Sequence, residues 1–155
     1  MRSSVIKIFG ILALVFAGAS VSSRLIFSLT PSDGKRVFFK LGSPQEAQVG
    51  DYVVFPHRTE RVKGCESSCL LIKRVVCGPG SLLEVRGLDY FCDGRYLGRA
   101  RLKDSSGRPV EPFVWSGVIP SGKLFVMGSH EKSYDSRYFG FVDKSWVVAR
   151  ARALF

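Results

Sequence analysis

Only two histidines occur in the 155 residues, His57 and His130, and no quartet of Cys and His at zinc-finger spacing is present. Cys65 and Cys69 are spaced C-x3-C, but no second Cys/His pair follows, so a structural zinc is not expected. Both histidines read as loop residues rather than ligands or bases. The chain also lacks a helix-turn-helix pattern, an RNA-binding aromatic signature, an internal repeat and a low-complexity segment. Its formal charge of +10 could neutralise phosphates, yet the basic residues are scattered from Arg2 to Arg150 and interrupted by Asp and Glu. Nucleic-acid binding needs such charges clustered, so anionic lipid headgroups or an acidic partner suit this distribution better, and no nucleic acid is expected. No stretch has a convincing amphipathic helical period, which excludes a helical bundle.

The N-terminal stretch has no acidic residue and no charge between Lys7 and Arg24. Two readings fit it. A cleaved signal peptide has this basic start, an apolar middle and small residues near Ala17 to Ala19. A membrane anchor needs about 20 apolar residues, a length reached if Lys7 and Arg24 snorkel to the two interfaces. The positive start places the N-terminus in the cytoplasm and the following domain across the membrane. An even set of cysteines, Cys65, Cys69, Cys77 and Cys92, follows the tail and suits an oxidising compartment. Without the tail, four reduced thiols would be the better reading. Of three possible connectivities, Cys65 with Cys69 and Cys77 with Cys92 is the expected one.

Beyond the tail, short β-branched and aromatic runs alternate with Gly, Pro and Asp turns, which indicates a mainly β domain. Strands are expected at Val37 to Lys40, from Val49 to Pro56, at Cys69 to Cys77, Leu82 to Val85 and Asp89 to Cys92, then near Phe113 to Ile119, Lys123 to Met127 and Trp146 to Arg150. Asp93-Gly94 reads as a turn. Period-two alternation in the Cys69 strand puts Leu71, Lys73 and Val75 on one face and Ile72, Arg74 and Val76 on the other. One face thus holds a lysine between two apolar neighbours. Such a lysine can serve as a general base if its amine is desolvated and therefore neutral. A nucleophile for it is offered by Ser28, in the tract Leu25 to Gly34 that joins the tail to the domain.

Three motifs stand in order: Ser28-x-x-Pro31, Lys73-Arg74 ahead of Gly78-Pro79-Gly80, and Ser133-x-Asp135-Ser136-Arg137. Together they resemble the bacterial type I signal peptidase family, serine peptidases with a Ser/Lys dyad, over nearly the whole chain. Ser28-Leu-Thr-Pro31-Ser32 resembles the nucleophile box, Ile72 to Gly80 the general-base box, and Phe125 to Val142 the last box. The resemblance implies a signal-peptidase-like β domain over 25–155, preceded by one N-terminal transmembrane helix over 1–24 as an uncleaved anchor. It makes Ser28 the acylating nucleophile, Lys73 its base and Ser133 the hydroxyl that orients the lysine amine. Asp135 and Arg137 match a structural ion pair, with Arg74 a further candidate member. Leu29 and Ile72 become candidate pocket walls. No cofactor or metal is implied.

Two departures qualify the match. The family's second oxyanion donor is often a serine two residues before the nucleophile, where this chain has Ile26. The last box usually opens Gly-Asp-Asn-Arg, whereas here it reads Gly128-Ser129-His130-Glu131. With the short length, these features resemble the conjugative-transfer branch, whose members mature a pilin and in some cases join its ends. The implied partners are a membrane-held precursor, the lipid bilayer of the bacterial inner membrane and conjugation or secretion machinery, with the catalytic domain on the periplasmic side.

Overall fold

The computed structural model describes residues 25–27 and 37–154. The expected membrane anchor, Ser28 and Leu29 lie outside those residues. No helix among the described residues is long and apolar enough to cross a membrane.

Alternation along Cys69–Cys77 (β4) sets the architecture. Leu71, Lys73 and Val75 are buried, while Ile72 and Val76 are half-buried and Arg74 is exposed on the reverse face. β4 pairs antiparallel with Tyr52–His57 (β3) on one side and Lys123–Met127 (β9) on the other. The sheet is completed by Leu25–Phe27 (β1), Val37–Lys40 (β2), Val142–Asp143 (β10) and Ala149–Ala153 (β11), in the order β1-β2-β11-β3-β4-β9-β10. A second sheet of Leu82–Arg86 (β5), Asp89–Cys92 (β6), Arg95–Arg99 (β7) and Ser116–Val118 (β8) has the order β7-β6-β5-β8.

β9 reads Lys-Leu-Phe-Val-Met with no polar residue after its first, because both of its faces are covered. Leu124 and Val126 join Val53, Phe55, Leu71 and Val75 in one core, and Phe125 and Met127 join Leu83, Tyr90 and Ile119 in another. The disulfide Cys77–Cys92 ties β4 to β6 and hence one sheet to the other, while Cys65–Cys69 closes the loop leading into β4. Asp93 (φ 49°) and Gly94 (φ 77°) take the two left-handed positions of a hairpin turn, where Asp-Gly is favoured.

Several expected strands move. The one near Phe113 to Ile119 shrinks to Ser116–Val118, because the Phe113 and Trp115 rings pack with Phe141 and the Phe113 N–H donates to the Arg137 carbonyl at 2.7 Å. The one at Trp146 to Arg150 begins later, at Ala149. Asp143 accepts from the Ser145 N–H and caps a 3-10 turn over Lys144–Trp146. β1, β7 and β10 were not expected, and the polar tract after β9 contains one short helix, Ser136–Phe139 (α1).

Candidate active site

Lys73 is only 3% exposed, opposite Val53 of β3 and between Leu71 and Val75 along its own strand. Its Nζ donates to Ser133 Oγ at 2.8 Å. A primary amine is brought into an apolar layer only where a polar partner meets it, and the loop after β9 supplies that partner.

Ser133 is fixed by the chain around it. Its N–H donates to the His130 carbonyl at 2.9 Å, which closes a turn. Two residues on, Asp135 caps α1, accepting from the Arg137 N–H. The fully buried carboxylate forms a two-pronged pair with the guanidinium, Nε to Oδ1 at 2.9 Å and Nη2 to Oδ2 at 2.8 Å. Asp135 Oδ2 also accepts from the Gly128 N–H at 3.0 Å, so one carboxylate holds both ends of the loop that carries Ser133. Arg137 spends its remaining donors on the Ser133 carbonyl and, through Nη1 at 2.8 Å, on the Arg99 carbonyl of β7. Burial opposes the Arg137 charge, but hydrogen bonding and attraction to Asp135 outweigh it and hold the guanidinium above its ordinary value.

Two further residues support the site, neither given a role by the sequence alone. Ser136 Oγ accepts from the Val126 N–H at 2.9 Å and anchors α1 to β9. Tyr90 donates its hydroxyl to the carbonyls of Phe113 (2.6 Å) and Arg137 (3.0 Å), and burial pushes its phenol well above the usual range. The Asp-Ser-Arg spelling places Ser136 beside an evident cap, whereas only the long-range pairing brings Tyr90 to α1.

Arg74 stands apart from the Asp135–Arg137 pair. It is exposed on the reverse face of β4 and forms no ion pair with Asp135, because period two turns it away from the layer holding Lys73. Ile72 is half-buried on that reverse face too. β4 takes β9 as a partner only from Arg74 onward, so the outer edge of the Leu70–Ile72 stretch has no strand partner among the described residues. Ile26 in β1 pairs with Phe38 and offers no hydroxyl. His57 is not a loop residue: it ends β3, half-buried against Phe139 (4.6 Å between ring centroids) and Tyr134, and burial lowers its pKa. His130 is exposed in the loop, where its Nδ1 accepts from the Lys132 N–H. No group of three or more His, Cys, Asp or Glu among the described residues is arranged to hold a metal ion.

Residues 3–155 match the family described as signal peptidase, peptidase S26. A conjugal transfer protein TraF of Agrobacterium fabrum is 31% identical over 99% of this chain and 97% of its own length. A probable signal peptidase I-1 of Synechocystis sp. is 31% identical over 67% of this chain and 52% of that protein. A solved signal peptidase I from Enterococcus faecalis V583 superposes with a TM-score of 0.43 at 26% identity, over 71% of this chain and 97% of that one. The chain belongs to the signal peptidase family, peptidase S26.

Proposed function

We propose that the protein is a membrane-anchored serine endopeptidase that removes leader-type peptides from translocated, membrane-held precursors. The observation that carries this reading is the buried Lys73 amine on Ser133 Oγ, within a chain of this family. Removal from water favours the neutral amine that a base requires. Ser28 Oγ attacks the scissile carbonyl and gives its proton to Lys73 Nζ, which passes it to the departing amine. The resulting ester is opened by water, or by an amine of the same product chain if the product is cyclised. The precursor adds as a strand along the Leu70–Ile72 edge of β4, with Leu29 and Ile72 walling its pocket.

The first 24 residues serve as a retained anchor in the bacterial inner membrane, and the domain faces the periplasm. The two disulfides support that side, since they persist in oxidising compartments. The similarity to a conjugal transfer protein supports a role in pilin maturation during conjugation. Co-expression with candidate precursors tests the reading. Folded Ser28→Ala and Lys73→Ala chains are expected to leave the precursor whole, and processing at the wild-type rate by either would refute it.

Ile26 favours a second reading, a catalytically silent assembly module that keeps the peptidase fold, because a serine hydroxyl is absent there. The loss of one oxyanion donor lowers rates about a hundredfold or more if nothing replaces it. Acylation of Ser28 by a serine-reactive probe separates the two.

A further inference from the structure

On the face of β4 turned away from Lys73 lies a cavity of about 550 Å³. Arg74 enters it, flanked in register by Tyr52 of β3 and Met127 of β9, which line it as well. β7 forms the opposing wall and contributes Arg99, and Arg101 follows after Ala100. Gly98 (φ +150°) keeps this wall close, since a Cβ there would come within 3.0 Å of Met127 Cε.

The lining holds four arginines and one glutamate, Glu131. Arg137 is committed to buried Asp135, and Arg101 reaches Glu131 at 3.1 Å. Arg99 pairs with Asp89 at 2.7 Å, but both partners are solvent-accessible, and such bridges yield readily to a competing anion. Arg74 has no carboxylate partner among the described residues. A guanidinium with no counter-charge among the described residues, in a concavity with apolar walls, suits bidentate binding of a carboxylate. Arg101 also lines an adjoining recess with Arg61, Lys103, Lys132 and Asp104; Asp104 pairs with Arg61 at 3.1 Å, and the remaining cations extend the positive surface beyond the footprint of one small anion. That extent favours a chain bearing several carboxylates.

We propose that this cavity is a second substrate site that takes an acidic segment of the precursor, remote from the scissile bond. The word precursor rests on the peptidase reading above; the acidic-peptide chemistry does not. The site is wired to the candidate active site, because Arg137 bonds both the Arg99 carbonyl on its wall and the Ser133 carbonyl beside Lys73.

The test uses the full-length Ser28→Ala chain in detergent micelles and two fluorescent peptides, one alternating glutamate with glycine, the other with glutamine in place of glutamate. At low salt, anisotropy is expected to show about tenfold tighter binding of the glutamate peptide. Arg74→Glu abolishes that preference and Arg74→Gln reduces it, with melting temperatures near that of the parent. Equal binding of the two peptides, or a preference that survives both substitutions, overturns the proposal. So does a result in which Arg74→Glu weakens binding to phosphatidylglycerol vesicles while the peptides show no difference, since the cavity is then a lipid-phosphate site. Cleavage plays no part in this readout. Absence of the preference, when the chain with Ser28 intact processes precursor, counts against the site alone. Presence of the preference, when the chain with Ser28 intact has no peptidase activity, counts against the peptidase reading and for an acidic-peptide site.

Discussion

Lys73 Nζ and Ser133 Oγ lie 2.8 Å apart although 60 residues separate them in sequence. Their meeting depends on β9 lying beside β4 and on the Asp135 carboxylate closing the loop between β9 and α1. Ser133 is therefore expected to act as a positioning residue for the amine. Ser133→Ala should lower kcat by about a hundredfold, with little change in KM, and displace the acidic limb of the kcat pH profile, which reports the protonation of the base. Ser133→Thr, which keeps the hydroxyl, should restore part of the rate. An unchanged pH profile would assign Ser133 a merely structural role.

The Asp135–Arg137 pair is buried on both sides, so removal of one partner leaves the other charge without compensation. Asp135→Ala should destabilise the fold by about 3–5 kcal/mol, read from urea unfolding. The double replacement Asp135→Leu with Arg137→Met should cost less than the two single changes added together, because no lone charge is left behind.

His57 connects stability to pH. Burial lowers its folded-state pKa below the ordinary 6.5. Above about 6.5 the imidazole is neutral in both states; as pH falls through 6.5 the unfolded chain takes up a proton that the folded chain resists. Stability from this residue is therefore present above 6.5 and lost as pH drops from there toward the folded-state value. The melting temperature should fall between pH 7.5 and 5.5 by more in the parent than in His57→Phe, which keeps the ring contacts with Phe139 and Tyr134.

Gly140 ends α1 at φ 77°, and a Cβ there would approach the Phe113 ring at 3.0 to 3.4 Å. Gly140→Ala combines backbone strain with that collision, and it should destabilise by about 1–3 kcal/mol while shifting the loop that holds Ser133. Thermal melts measure the first effect and precursor processing the second.

Much of this arrangement was legible in residue order. Two-residue alternation in Cys69 to Cys77 sorted Lys73 from Arg74 correctly, since a strand with one buried face permits no other register. The Asp93-Gly94 turn followed from local chemistry alone. At Phe113 and Trp146 aromatic packing and an Asp143 cap override β propensity. β7 and β10 carry no strand signal, because Arg95–Arg99 has two glycine-adjacent charges and Val142–Asp143 is only two residues long. His57 lies in β3 and not in a loop, and its residue order does not reveal this because its aromatic neighbours Tyr134 and Phe139 come from a distant tract. The basic cavity behind β4 had no sequence signature, as Arg74, Arg99 and Arg101 are brought together only by the meeting of the two sheets.

The account turns on whether Ser28 is a nucleophile activated by Lys73, and intact-mass spectrometry after exposure to a serine-reactive acylating probe measures that directly. The parent chain should gain the mass of one acyl group, mapped to Ser28, while folded Ser28→Ala and Lys73→Ala chains remain unmodified. Labelling that persists in Lys73→Ala at the parent rate, or a parent chain that stays unlabelled under conditions that acylate a known serine peptidase, would contradict it.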